Sequence, residues 1–170
     1  MVKFLSAYSE THFMTLKIFV DTEFTDFIEP KLISIGLAAV SGEEFYAELP
    51  FSIRECSEFV RETVIPMLGK TLHGACTEDE LAIRIFDWLK LVRYRDENVE
   101  ICFDYQTDWD LFRTALRNNV PSWCKPKLIA DGINELLRFD YHEKTGLPEH
   151  HALHDAQANR YAYREKTIKP

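Results

Sequence analysis

A short apolar run that ends in two acidic residues constrains the fold of this chain more than any other feature. Residues 16–20 are rich in β-forming side chains and predict a buried strand, which Asp21 and Glu23 follow at alternate positions. Alternate side chains of a strand share one face, so these two carboxylates lie together while Thr22 points away. A buried carboxylate pair is costly unless cations or water compensate its charge, so the pattern favours a cation site at the end of a central strand. A strand that emerges into solvent is the alternative, which the apolar residues on both sides of the pair disfavour.

The rest of the chain predicts an α/β fold. Two further strands flank a turn at Ser41 and Gly42, and Thr77 with Glu80 forms a capping-box pattern before a helix. Thr107 is the predicted N-cap of the next helix. The predicted strands are 16–20, 31–40, 43–49, 98–103 and 127–130, and the predicted helices are 57–68, 81–92, 108–118, 134–142 and 149–166.

Length and composition fit one globular domain. The chain has 170 residues, of which 46% are hydrophobic and 28% charged, which is ordinary for a soluble protein. We expect residues 14–170 to form the domain and residues 1–13, which lack periodicity, to form an N-terminal extension. No apolar run approaches the roughly 20 residues that a membrane span needs, and the N-terminus lacks the apolar region of a secretory signal. We therefore expect a cytoplasmic protein with no membrane partner.

Cysteine usage and net charge narrow the classes of site and partner. The cysteines are widely spaced and form no CxxC pair, so we expect reduced thiols and no zinc knuckle. His150 and His154 have the spacing of an HxxxH zinc pair, but no third ligand is placed to join them. A net charge of −8 disfavours a protein that grips long duplexes through a broad basic face. Short single strands need only a local groove and stay compatible with this charge.

A third acidic position lies where a helix follows the fourth predicted strand. Asp108 is favoured there over Asp104 and Asp110, because Leu111 and Phe112 can anchor its turn of the helix to the core. The corresponding positions after the two rivals are polar. Interaction of this carboxylate with the helix dipole is the structural alternative.

The fourth acidic position, Asp155, lies in the last predicted helix, five residues after His150. Ala152, Leu153 and Ala156 form a small apolar face that can lie close against a sheet. Asp155 is then fixed in place, whereas His150, at the helix start, is freer to move, which suits a ligand and a proton acceptor. A solvated cluster of histidines and acids is the alternative.

Taken in order, these segments resemble the DEDDh exonucleases of the ribonuclease H-like superfamily. The shared pattern is Asp-x-Glu at 21–23, Asp-x-x-Leu-Phe at 108–112 and His-x-Ala-x-x-Asp-Ala at 150–156, in a similarity that covers roughly residues 16–166. The segments FVDTEFTDF and LISIGLAAV are similar to small stand-alone 3′–5′ exoribonuclease-like proteins, related to ribonuclease T and oligoribonuclease. The resemblance implies a ribonuclease H-like α/β fold with a mixed five-stranded sheet flanked by helices.

The resemblance also implies a metal-dependent 3′–5′ exonuclease, which removes nucleoside 5′-monophosphates from the 3′ ends of single-stranded nucleic acid, with RNA favoured over DNA. Two divalent cations, Mg²⁺ or Mn²⁺, would be held by four carboxylates: Asp21, Glu23, Asp108 and Asp155. His150 is the implied general base because of its offset from Asp155, and His151 is the alternative. A homodimer is a further expectation.

Two segments depart from the family pattern. Phe24, Thr25 and Asp26 replace the Thr-Thr-Gly that follows the first Glu in many relatives, and FDYQT replaces the usual His-Asn or Gly-Asn before Asp108. We therefore expect different contacts to the terminal nucleotide. Phe24 and Phe27 are candidates to stack on its base, although core packing is the commoner fate of such residues.

Some basic residues are candidates for phosphate contacts, although a surface role is commoner: Arg113, Arg117, Lys125 and Lys127. Two alternative functions stay open. One is a catalytically inactive nucleic-acid-binding or regulatory module with the same fold. The other is a dinucleotide phosphodiesterase that uses the same metals.

Overall fold

A mixed sheet of five strands forms the centre of the protein. The computed structural model describes residues 15–165, and the predicted extension at 1–13 lies outside them. The strands are β1 (Leu16–Phe24), β2 (Leu32–Ala39), β3 (Glu44–Glu48), β4 (Val99–Phe103) and β5 (Cys124–Leu128), in the spatial order β3-β2-β1-β4-β5. β2 pairs antiparallel with β1 and β3, whereas β4 pairs parallel with β1 and β5. The predicted mixed five-stranded sheet is confirmed.

Within the described residues, four α-helices flank the sheet: α1 (Glu78–Val92), α2 (Gln106–Ala115), α3 (Glu135–Thr145) and α4 (Ala152–Ala162). Ile18 and Val20 of β1 point into the main core, together with buried residues of α1 and α2. Phe19 points to the opposite face and packs against Tyr163, which directly follows α4. β1 is therefore covered on both faces, as a central strand of this architecture must be. Between residues 15 and 165, no helix has the length and apolar character to cross a membrane.

Three local predictions are confirmed: the turn between β2 and β3, the capping box before α1, and cysteines that form no disulfide with one another. Gly42, in the β2–β3 turn, has a φ of 111°, a conformation that glycine adopts without steric cost. The Thr77 side chain accepts from the Glu80 N–H at 3.3 Å, and the Glu80 carboxylate accepts from the Thr77 N–H at 2.8 Å. This reciprocal pair caps the N-terminus of α1. The four cysteines are free, and three of them are buried.

The helical segment predicted at 57–68 is present, but it is not one regular α-helix. A π-helical turn, Val60–Val64, is followed there by a 3₁₀ turn, Ile65–Met67. Pro66 has no N–H group to extend an α-helical ladder, so the segment cannot continue as one regular helix. The segment still buries Val60 and Val64 in a small cluster beside the sheet.

Two other predicted details are also wrong. Thr107 is not the N-cap of α2, because the helix begins at Gln106 directly after Tyr105 and Thr107 is already in its first turn. β5 is Cys124–Leu128 rather than 127–130. Pro126 disfavours a strand in the sequence, but β5 lies at the edge of the sheet, where a proline needs no ladder hydrogen bond on its outer side.

Candidate metal centre

Asp21 and Glu23 lie at the end of β1 on one face of the sheet. In the antiparallel register with β2, Asp21 is opposite Gly36 and Glu23 is opposite Ser34. Strand side chains alternate, so both carboxylates share the face of Phe19, which is the face that α4 covers. The predicted common orientation of the pair follows from this register.

Gly36 allows α4 to approach the sheet directly beside Asp21. A Cβ atom on Gly36 would lie 2.3 Å from the Leu153 nitrogen and 2.4 Å from the Ala152 carbonyl oxygen. Ala152 and Ala156 are fully buried, so the predicted small apolar face of this helix does lie close to the sheet. The first turns of α4 thereby reach the acidic end of β1.

His150 precedes α4, which is Ala152–Ala162, so the predicted helix at 149–166 is wrong at its start and too long at its end. The φ of His150 is 61°, a left-handed conformation that a helix cannot contain, and α4 begins at Ala152. The His150 backbone N–H donates to Oδ2 of Asp155 at 2.9 Å. The His150 ring packs edge-on against Phe59, with ring centroids 4.9 Å apart. The backbone of His150 is thus tied to Asp155 instead of being free to move.

Asp108 comes to the site from α2, on the opposite side of the sheet. Its side chain is only 4% exposed, and its Oδ1 accepts from the Thr22 backbone N–H at 3.1 Å and from the Thr22 hydroxyl at 2.6 Å. Leu111 and Phe112 are buried and anchor this turn of the helix, as the sequence argument required. Thr22, which lies between Asp21 and Glu23 in β1, therefore positions Asp108.

The two rivals of Asp108 have different surroundings. Asp110 lies on the exposed side of α2, where the Gln106 side chain donates to it at 3.3 Å. Asp104 lies in the turn before α2 and accepts from Arg138 at 2.8 Å and from the Asn159 amide at 3.1 Å. Asp104 is therefore part of the site region, whereas Asp110 is not.

Two groups of possible metal ligands form where these elements meet. Glu23, His150 and Asp155 make one group, and the second is formed by three aspartates: Asp21, Asp104 and Asp108. In each group the ligand atoms lie within 4.8 Å of one another. Hard divalent cations prefer oxygen ligands, so these closely spaced carboxylate oxygens fit such a cation.

Comparisons with known proteins give the fold of the chain. No protein-family model and no curated protein matches the sequence. A similar solved structure is the nuclease domain of 3'hExo, a DEDDh family member, bound to rAMP. It has a TM-score of 0.58 and 14% identity, covering 92% of this chain and 99% of that chain. This chain has the DEDDh exonuclease fold. Cell-death related nuclease 4 (CRN-4) is also similar, with a TM-score of 0.51 and 13% identity, covering 85% of this chain and 61% of that chain.

The acidic residues of this DEDDh fold resist ionisation when no cation is present. Burial, followed by the charges of Asp108, Asp155, Glu23 and Asp104, raises the pKa of Asp21 well above its usual value. Burial and the charges of Asp155 and Asp108 raise the pKa of Glu23 to about 8. Burial raises the pKa of Asp108 to about 7, against the opposing effect of the Thr22 hydrogen bonds. Bound divalent cations would relieve this repulsion, because they favour the ionised carboxylates.

His142, in α3, is a site residue that the sequence analysis missed. Its Nε2 lies 3.3 Å from Oδ1 of Asp155, and its Nδ1 lies 2.9 Å from the Leu147 carbonyl oxygen. The hydrogen bond to Asp155 raises the pKa of this imidazole. With the His150 N–H on the other oxygen, both oxygens of Asp155 have a partner. No motif links these positions in the sequence, since the contact depends on how α3 packs on α4.

His151 and His154 belong to neither of the two ligand groups found among the described residues. The His151 ring is stacked between Tyr46, at 4.4 Å, and His154, at 3.9 Å, and burial lowers its pKa to about 4. Nδ1 of His154 faces the Pro148 carbonyl oxygen at 3.1 Å. Among the described residues, the ligand group that contains His150 does not include His154, so the geometry does not support the alternative zinc pair.

Aromatic side chains surround the first acidic segment. Phe27 is 71% exposed and contacts Phe24 edge-on, with ring centroids 5.0 Å apart. Tyr105, in the turn before α2, contacts Phe27 in the same way at 5.9 Å. These three rings connect the loop after β1 with the turn that carries Asp104. Phe27 is therefore not a core residue, and Phe24 is half-buried.

A cleft of about 340 Å³, here called the acidic cleft, opens beside the ligand groups. Its walls include Asp21, His150 and Asp155 from the centre, with His142 and Arg138 from α3. A larger cavity of about 490 Å³ lies between the start of β2 and helices α1 and α2; Arg117, a candidate for phosphate contacts, lines it, but none of the predicted metal ligands and neither His150 nor His151 does. The acidic cleft therefore opens onto the candidate metal centre.

Proposed function

We propose that this protein is a metal-dependent 3′–5′ exonuclease that releases nucleoside 5′-monophosphates from single-stranded nucleic acid, with RNA favoured over DNA. The observation that carries the proposal is the convergence of two ligand groups at the end of β1, in a DEDDh exonuclease fold. Both structural neighbours are described as nucleases, and the 3'hExo domain is described as bound to rAMP. This likeness supports a nuclease function.

The proposed ligands are the four carboxylates of the predicted set. Asp21, Glu23 and Asp155 would hold one cation, and Asp21 with Asp108 the second, as Mg²⁺ or Mn²⁺. When bound, such cations stabilise the negative charge that develops on the attacking and leaving oxygens of a phosphodiester. Thr22 holds Asp108 in place for this task, and Gly36 gives Asp155 its access to Asp21.

His150 is the proposed general base. Its imidazole lines the acidic cleft and belongs to the ligand group of Glu23 and Asp155, where it can accept the proton of an attacking water. The alternative base, His151, has a buried ring stacked between two other side chains and does not line this cleft. The surroundings of the two histidines therefore favour His150.

Phe24 and Phe27 are proposed to contact the terminal nucleotide. The exposed ring of Phe27 offers a stacking surface for an unpaired base, and Tyr105 extends this surface towards α2. A duplex does not present free base faces, so this arrangement suits single strands.

Two aspartates of α2 provide a matched test of the proposed function. We expect the wild-type protein to shorten a 5′-labelled single strand from its 3′ end in Mn²⁺. Asp108→Asn removes a ligand charge and should abolish this activity, whereas Asp110→Asn changes the exposed rival and should leave it unchanged. Equal activity of both variants would refute the assignment of Asp108. Cleavage of dinucleotides but not of longer strands would identify a dinucleotide phosphodiesterase instead.

A further inference from the structure

The acidic cleft contains a single permanent cation among its described lining residues, and this cation is Arg138. A nucleic-acid strand brings several negatively charged phosphates to a protein whose net charge is −8. A positively charged side chain near the candidate metal centre can neutralise one of these phosphates. Two of the basic residues considered from the sequence have other partners: Arg117 pairs with Asp79, and Lys127 pairs with Glu100. Arg138 was not among those candidates.

Three partners hold the Arg138 guanidinium in place. Nη1 donates to Oδ2 of Asp104 at 2.8 Å and lies 3.4 Å from Oδ1 of Asn159, while Nη2 lies 2.7 Å from Oε2 of Glu135. These partners come from the turn before α2, from α4 and from α3 itself. A guanidinium held in this way loses little side-chain entropy when it binds a further acceptor.

The guanidinium keeps the capacity to bind another anion. It has five N–H donors, more than the three acceptors that it contacts, and its side chain is 33% exposed at the cleft. Its planar fork of donors matches the oxygens of a phosphate group. Asp104 connects this group to the centre, since the same carboxylate belongs to the ligand group of Asp21 and Asp108.

We propose that Arg138 binds a backbone phosphate of the strand that enters the acidic cleft. The inference rests on the proposed nuclease function and deepens it, because it assigns the phosphate subsite of the same centre. Asp104, in the segment FDYQT that departs from the family pattern, is then a positioning residue for this arginine. A purely structural role is the competing explanation, in which Arg138 only neutralises the charge of Asp104.

The test compares Arg138→Gln with Arg95→Gln. Arg95 is an exposed arginine in the turn before β4. Arg138 contacts Asp104, which follows the opposite end of that strand, so Arg95 serves as a control outside the proposed subsite. For Arg138→Gln we expect kcat/KM on a single strand to fall about 10- to 100-fold, mainly through KM. The slope of log kcat/KM against log salt concentration should become shallower by about 0.7, the loss of one phosphate contact. Arg95→Gln should change neither value.

Two further measurements separate the explanations. Calorimetric titration should give the same Mn²⁺ affinity for Arg138→Gln and wild type; a matching loss of Mn²⁺ affinity would overturn the phosphate role. The double variant Asp104→Asn/Arg138→Gln should stay as impaired as Arg138→Gln, whereas recovery towards wild-type activity would show that the arginine only neutralises Asp104.

Failure of the proposed function is distinguishable from failure of this inference. If the wild type hydrolyses no strand, the nuclease proposal fails, and binding of a labelled oligonucleotide by fluorescence anisotropy still tests Arg138. Weaker binding by Arg138→Gln than by wild type would then support the phosphate role, and equal binding would overturn it. If the wild type is active and Arg138→Gln retains its KM and salt slope, only the Arg138 inference fails.

Discussion

Gly36 of β2 and Ala152 of α4 approach so closely that a Cβ atom on Gly36 would lie 2.4 Å from the Ala152 carbonyl oxygen. The neighbouring atoms are backbone atoms, which cannot rotate away as the end of a long side chain can. This contact lets α4 bring Asp155 beside Asp21. The lack of a side chain at Gly36 is therefore linked to the position of Asp155 in the candidate metal centre.

Gly36→Ala should therefore damage both stability and the metal centre. We expect the free energy of unfolding to fall by roughly 1–3 kcal/mol, as in other overpacked sites, and the Mn²⁺ affinity to fall because α4 must shift. Gly42→Ala is the control. Its added Cβ would meet no atom within 4 Å, so only the backbone strain of its φ of 111°, roughly 1–3 kcal/mol, should lower stability, and Mn²⁺ affinity should stay unchanged. Unchanged Mn²⁺ affinity in Gly36→Ala, measured by calorimetry, would contradict the link.

Thr22 provides a second test, because its hydroxyl donates to Asp108. Thr22→Val keeps the shape of the side chain but removes this donor, so the pKa of Asp108 should rise further and Mn²⁺ affinity at neutral pH should fall about 10-fold or more. Raising the pH should restore part of the loss. Thr22→Ser retains the hydroxyl and should bind Mn²⁺ nearly as well as wild type. Equal affinities for the valine and serine variants would argue against a role of the hydroxyl.

His142 is expected to hold Asp155 in its metal-binding orientation. His142→Gln should weaken Mn²⁺ binding about 10- to 100-fold, the usual effect of losing a group that orients a ligand. His154→Gln is the matched control, since this histidine contacts the Pro148 carbonyl oxygen. The prediction fails if both variants have the same Mn²⁺ affinity.

The raised pKa of Glu23 predicts how the stability of the metal-free protein depends on pH. The folded protein holds a proton on this carboxyl up to about pH 8, whereas its ordinary value is 4.5. The folded state thus binds more protons than the unfolded state in this range, and its free energy of unfolding falls as the pH rises. The comparison is cleanest from about pH 6.5 to 8, because the lowered pKa of His151 acts in the opposite direction at lower pH.

Thermal unfolding in EDTA measures this dependence. The midpoint temperature should decrease across the range, and Glu23→Gln, which cannot ionise, should show a smaller decrease. Added Mn²⁺ should raise the midpoint most at the alkaline end, where the carboxylates are already ionised. A midpoint that rises with pH in EDTA, for wild type and variant alike, would contradict the assigned environment of Glu23.

The sequence predicted the parts of this protein that depend on local pattern. Alternation along β1 placed Asp21 and Glu23 on one face, and the apolar pair Leu111 and Phe112 separated Asp108 from Asp110. These signals work because the side-chain direction of a strand or helix follows directly from residue spacing.

Contacts between distant segments were not predictable in the same way. Asp104 and Arg138 are 34 residues apart and meet only because α3 packs beside the turn before α2. His142 reaches Asp155 because α3 also packs on α4, and no spacing rule connects these two residues. The left-handed conformation of His150 was also missed, since residue patterns favour it mainly for glycine and asparagine. The short-range hydrogen bond to Asp155 stabilises it instead.

Hydrolysis of a 5′-labelled single strand in Mn²⁺, with Asp21→Ala as the control, tests the central claim most directly. Wild-type protein should shorten RNA strands stepwise from the 3′ end and release nucleoside 5′-monophosphates, and the same DNA sequence should be degraded more slowly. Asp21→Ala should show no such activity, because Asp21 is the proposed ligand of both cations. Full activity of that variant, or wild-type protein that binds Mn²⁺ but degrades no strand, would contradict the account.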